Sequence, residues 1–145
     1  MKKELTNSRK VKGAVWKKIA GTVMIVGVLL SATNATVSAN SYQAYRLPIN
    51  QGNNYTPVHD KTTHAKHITN EVTAITKASY ANFWAINSSN KAISKKYKQG
   101  PKTGLKKLVF TSDGYGYVGA EVGMGMENNR VSTKVAFVSG NVNFK

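Results

Sequence analysis

No cysteine occurs in these 145 residues, which excludes disulfides, thiolate nucleophiles and cysteine-ligated metals together. Acidic residues are almost as scarce, six against 21 Lys and Arg. Two of the usual enzymatic arrangements, paired carboxylates and Asp-oriented triads, therefore have few members to draw on. Three prolines break the chain only locally, and the longest apolar run is too short to cross a bilayer. Spanning a hydrocarbon core takes roughly 20 predominantly apolar residues, whereas residues 19–32 give 14 uncharged positions that include Gly21, Thr22 and Gly27.

What is present begins with residues 1–39. Lys2, Lys3, Arg9, Lys10, Lys12, Lys17 and Lys18 form a basic leader, residues 19–32 an apolar stretch, and Val37-Ser38-Ala39 a small-residue cleavage site. This is the pattern of a secretory signal helix cut after Ala39 by signal peptidase, with export machinery as its first partner. The shortness of the apolar stretch argues against a retained anchor. A lysine-rich leader and bridge-free export both suit Gram-positive bacteria. The sequons at Asn34, Asn54 and Asn87 are then chance matches.

The remaining residues, 40–145, suffice for one domain with a single modest core. They hold 14 basic and five acidic residues, a net charge of +9. Such a surface attracts anionic cell-wall polymer or anionic membrane by screened Coulomb forces. An extracellular chain meets these before nucleic acid, which is not expected as a partner.

Residues 40–67 read as an extended segment, 42–49, followed by a polar loop broken at Pro48 and Pro57. Residues 68–145 read as the sheet core. Within it, Ile68, Val72 and Ile75 fit a helical face, while the threonines and β-branched residues of 68–78 favour a strand; the balance falls on strand with helix still open. Residues 81–86, centred on Phe83-Trp84, form a compact apolar strand ending in an Asn87-Ser88-Ser89-Asn90 turn. The aromatic pair reads as core, or else as a contact near a sheet edge.

Lys91, Lys95, Lys96, Lys98, Lys102, Lys106 and Lys107 contribute half the basic residues after position 39. One reading is an edge strand and loop in which lysine blunts edge-to-edge pairing. The other is an anion-binding patch with Tyr97 beside it, joined by Tyr115 and Tyr117 as exposed aromatic contacts.

Residues 105–111 form a strand, Ser112-Asp113-Gly114 a turn, and 115–126 an alternating strand with Val118, Ala120, Val122, Met124 and Met126 on one face. A two-residue turn at Asn128-Asn129 would oppose Met126 to Val131, Met124 to Thr133, Val122 to Val135 and Ala120 to Phe137. Glu127 would meet Arg130 and Glu121 would lie diagonal to Lys134. Gly140-Asn141 reads as an interruption before a short terminal strand. Short strands with turns between them and no strong helix predict an all-β fold, a small antiparallel sandwich or partly open barrel.

Chemistry-bearing motifs are weak. Gly114-Tyr115-Gly116-Tyr117-Val118-Gly119 matches G-x-G-x-x-G, yet no helix follows to receive a pyrophosphate. His59, Asp60, His64 and His67 offer ligand chemistry without a recognised spacing, and solvated histidines are the simpler reading. No serine sits in a triad context. The expectation is a chain without catalytic, cofactor or metal residues.

The leader, Tyr45-Arg46, Asn82-Phe83-Trp84 before a Ser/Asn turn, Lys98-Gln99-Gly100, Glu127-Asn128-Asn129 and Val138-Ser139-Gly140 together resemble a family of small exported Gram-positive proteins known only as a domain of unknown function. Some such proteins are encoded beside bacteriocin or transporter genes. The resemblance implies a part in competition or envelope stress and supplies no catalytic residue. The expected function is a secreted, non-enzymatic cationic protein acting at the cell envelope, the alternative a bacteriocin-like toxin on competitor membranes.

Overall fold

A computed structural model describes residues 39–145; the signal reading of residues 1–38 lies outside the described residues. Nine strands form two antiparallel sheets, as the turn-separated apolar alternation predicts. The first sheet takes β1 (Asn40–Leu47), β4 (His67–Thr76), β7 (Lys106–Val109) and β9 (Ala136–Asn143), in the order β1-β9-β4-β7. The second takes β2 (Asn54–Tyr55), β3 (His59–Asp60), β5 (Ala81–Asn87), β6 (Tyr97–Gln99) and β8 (Glu121–Asn128). Here β8 and β5 lie side by side, β6 flanks β5, and β2 and β3 both pair with β8.

The core lies between the sheets. Tyr42, Leu47, Ile68, Val72, Val138 and Val142 face it from the first sheet, and Phe83, Ala85, Val122, Met124 and Met126 from the second. A polar tie crosses it: the Tyr42 hydroxyl donates to Asn70 Oδ1 at 3.1 Å, and Asn70 Nδ2 donates to Gln99 Oε1 at 2.8 Å. Gln99 Nε2 returns a bond to the Asn70 carbonyl at 3.0 Å, so a residue of β6 is pinned to β4 on the opposite sheet. Along one side the sheets also touch through a Ser94–Phe110 bridge.

The ambiguous stretch 68–78 resolves as strand, and its helix-like spacing has a cause. A bulge between Val72 and Ala74 shifts the pleat by one position, so Ile75 packs on the core alongside Ile68 and Val72. The shift turns an i, i+4, i+7 pattern into one sheet face.

The expected 128–129 hairpin does not form. Strand β8 pairs with β5, placing Met126 opposite Phe83 and Met124 opposite Ala85. Residues 129–135 then cross to the other sheet, where β9 inserts between β1 and β4. Neither Asn128 nor Asn129 adopts a positive φ, and Asn128 is a buried strand residue whose Nδ2 donates to the Leu47 and Pro48 carbonyls. The face parity of β9 is also reversed, with Ala136, Val138, Gly140 and Val142 inside and Phe137 exposed. Both of the predicted charge pairs are absent, since Glu127 instead bonds Lys96 and Asn82.

Alternation identifies an apolar face but not the strand opposite it. Strand β5 offers β8 a partner apolar on both faces, because Gly123 and Gly125 make room on the outer face for Ile86 and Trp84. A Cβ on Gly125 would stand 2.6 Å from Trp84 Cζ2. Gly140, expected to interrupt, sits mid-strand beneath the Tyr42 ring, where a Cβ would lie 2.7 Å from Tyr42 Cζ.

Strand β8 starts at Glu121, not 115. Residues 113–115 form a 3-10 turn capped by Ser112, and Gly119 at φ +86° donates to the Lys61 carbonyl at 2.8 Å. Val118 is exposed rather than part of the apolar face. Beyond β1, the expected loop contributes the short edge strands β2 and β3.

Candidate anion-binding cleft

Antiparallel pairing gathers three connections at one end of the sandwich: 77–80 between β4 and β5, 100–105 between β6 and β7, and 129–135 between β8 and β9. Between the first and third lies a cleft of about 380 Å³. Its charged walls are Lys77, Lys98 and Arg130, with Tyr80, Asn129 and Val131 completing the rim. A second hollow of about 360 Å³ shares Tyr80 and adds Pro101 and Lys102. No carboxylate lines either space.

Each wall is fixed by local structure. Lys77 turns the chain at φ +59°, a left-handed conformation unusual for a residue with a Cβ. Lys98 lies on β6 with its Nζ 4.2 Å from the centre of the Tyr80 ring, a cation–π contact that aims the ammonium along the rim. Asn129 Nδ2 donates to Asn82 Oδ1 at 2.8 Å, holding the start of the 129–135 crossover against β5. The Asn50 N–H donates to the Ser132 carbonyl at 2.8 Å and steadies the same crossover from the β1 side.

The seven sequence-predicted lysines are all exposed, and they divide into groups. Lys98 and Lys102 flank Tyr80 at the cleft. Lys95 sits 5.5 Å over Tyr97, whose hydroxyl accepts from the Val109 N–H. Lys96 sits 4.7 Å over Trp84 and pairs with the buried Glu127 carboxylate at 2.6 Å. Lys106 and Lys107 pair across from Asn70 and Thr69 on the other sheet. Lys91 follows the 87–90 turn at the far end, where Asn87 Oδ1 accepts its N–H. Among the described residues Lys66 and Lys96 are the lysines within salt-bridge distance of an Asp or Glu side chain.

The aromatic candidates separate too. Tyr97 is half-buried on β6, within the lysine group. Tyr115 is half-buried against Phe110 and accepts from Asn87 Nδ2, while Tyr117 is exposed, both at the end away from the cleft. Trp84 is core-like yet on the outer face, between the Tyr55 ring edge and Lys96.

The histidines scatter. His59 stacks on Phe144 at 4.4 Å, His64 is exposed, and His67 lies on β4. Among the described residues no three His, Asp or Glu side chains converge as a metal site would require. Burial first, then the charges of Lys107 and Lys61, hold the His67 imidazole below its usual range. Lys61 itself is enclosed, with its ammonium 5.2 Å from the Phe110 ring centre and bonded to the His67 and Lys145 carbonyls, and burial lowers its pKa.

Sequence reasoning missed Lys77, Tyr80 and Arg130. Arg130 had been matched to Glu127 across the hairpin that does not form, and Lys77 lay inside an undecided element. The usable signal was the run Lys77-Ala78-Ser79-Tyr80, short and polar between two apolar strands. Comparison with protein-family models, curated proteins and solved structures finds no match to this chain.

Proposed function

We propose that this is a secreted, non-enzymatic cationic protein that binds an anionic surface of the cell envelope through the cleft end of its sandwich. The observation that carries the reading is the grouping of Lys77, Lys98 and Arg130 around one concavity without a carboxylate. Three like charges held together raise the local potential and favour an anion that neutralises them. The leader pattern, the net +9 of residues 40–145 and the resemblance to exported Gram-positive proteins support the same reading. Two of the five acids after position 39 are held in ion pairs: Asp113 with Lys66, and Glu127 with Lys96.

Co-sedimentation with purified cell envelopes tests it. Binding should weaken at least about ten-fold as salt shortens the Debye length from about 30 Å to about 8 Å. Lys77→Glu combined with Lys98→Glu should weaken it at low salt. Lys96 is left intact, because reversing it would strand the buried Glu127 carboxylate. Salt-independent binding, or none, refutes the reading. Dye leakage from anionic vesicles would instead favour membrane attack.

A further inference from the structure

Charge is polarised along the sandwich; exposed apolar side chains stand at both ends, Tyr117 and Val118 at the far one, and only at the cleft end do they stand among unpaired cations. At the cleft end, Lys77, Lys98, Lys102, Arg130 and Lys134 lie on or beside the three connections, which contain no Asp or Glu. Glu127, beside the third connection, is already held by Lys96 and Asn82, and Glu71 lies on β4 one register step past the Asn70–Lys106 pair. Asp60, Asp113 and Glu121 lie at the opposite end, where β3 pairs with the start of β8.

The same end displays four large apolar side chains, each on a different connection. Ile49 after β1 is 44% exposed, Tyr80 45%, Leu105 65% and Val131 72%. Apolar side chains gathered at loop tips and ringed by cations have no use for a soluble polyanion, which satisfies the charges alone. An anionic bilayer satisfies both, since its headgroup phosphates meet the cations and its interface takes up aliphatic and tyrosine side chains. Lys98 suits that geometry, its stem along Tyr80 and its ammonium free to reach outward.

We infer that the cleft end is a bilayer-docking face, its occupant an anionic phospholipid surface with Tyr80, Leu105 and Val131 entering the interface. The inference rests on the envelope reading and narrows it to lipid. Near an anionic membrane each added cation strengthens binding about five-fold. Five cations and three inserted side chains are ample for reversible attachment without a spanning helix, and among the described residues no helix is long and apolar enough to span.

The test compares vesicles of phosphatidylglycerol with phosphatidylcholine, and both with a soluble glycerol-phosphate polymer. Each variant is measured beside the parent chain. Leu105→Asp and Val131→Asp should each weaken binding to the anionic vesicles at least about ten-fold while changing polymer binding less than about two-fold. Val58→Asp, an exposed apolar position at the other end, should change neither. Tyr80→Trp should add to the emission of Trp16 and Trp84 a component, read as the difference from the parent, that blue-shifts on anionic vesicles and stays unmoved with polymer. All four positions are exposed, so unchanged thermal unfolding confirms the variants remain folded. Parent-like vesicle binding by Val131→Asp, or an unmoved Tyr80→Trp spectrum, overturns the docking face. Polymer binding without vesicle binding overturns it but leaves the envelope reading standing, and failure on both removes the two together.

Discussion

Replacing Gly125 by alanine should cost this domain more than any other single methyl group added to β8. The new Cβ would stand 2.6 Å from Trp84 Cζ2 and closer still to Cε2 and Nε1, where ordinary contact requires about 3.5 Å or more. The indole must therefore retreat by about 1 Å. Its retreat is blocked on one side by the edge of Tyr55, centroids 6.4 Å apart, and capped by Lys96 at 4.7 Å. Overpacking of this kind costs about 1–3 kcal/mol. Exposing about 60 Å² of the indole adds about 1.5 kcal/mol at about 25 cal/mol per Å². Against this stands about 0.4–1 kcal/mol gained by restricting the unfolded chain.

The net loss is about 1.5–4 kcal/mol, a fall in Tm of about 6–30 °C for a domain this size. Denaturant unfolding followed by circular dichroism measures it. Gly114→Ala is the control, since its Cβ would meet only Ser112 Oγ at 3.5 Å, and should stay within about 0.5 kcal/mol. In a Trp84→Leu background the Gly125→Ala step should also shrink below about 0.5 kcal/mol, because the clash has gone. A cost for Gly125→Ala below about 0.5 kcal/mol in the parent, or one that persists without the indole, refutes the packing argument.

Tyr42→Phe should destabilise by about 1–2 kcal/mol, because it leaves the buried Asn70 Oδ1 without its 3.1 Å donor. Burial raises the Tyr42 pKa above its ordinary 10.0, so its contribution is complete below pH 10.0 and declines as pH rises beyond it. Alkaline unfolding curves of Tyr42→Phe should lack that decline. His67 shows the opposite sign. Its depressed pKa means the unfolded chain binds the extra proton first, so stability falls as pH drops below the ordinary 6.5. Lys107→Gln, which removes one of the repelling charges, should flatten that acid-side slope in urea titrations; an unchanged slope would count against the assignment.

The class of fold was legible because turns and two-residue alternation are local. Asn87 to Asn90 turns as its residues demand, with Asn90 at φ +59° and the Asn87 side chain accepting two N–H groups. Strand partnership was not legible, since it depends on which distant face is complementary. Val122, Met124 and Met126 share one apolar face in the sequence pattern, yet their neighbour is set by glycines that accept Trp84 and Ile86 from 37 or more residues earlier in the chain. The cleft was lost with the hairpin, because a tight turn at Asn128 would have removed the crossover that supplies Arg130 and Val131. Lysine abundance pointed to the right chemistry but not to the right members. Lys98 lines the cleft and Lys102 the neighbouring hollow, whereas Lys91 is carried to the far end by the antiparallel course of β5 and β6.

The direction of β1 sets how this domain can be held. The chain enters at Asn40, opposite Val142, and leaves β1 at Leu47 beside Ala136, the start of the 129–135 crossover's landing strand. Eight residues of strand carry it about 26 Å. Asn40 and the cationic loops therefore lie at opposite ends of the sandwich, and a probe coupled at Asn40 leaves the cleft end unobstructed.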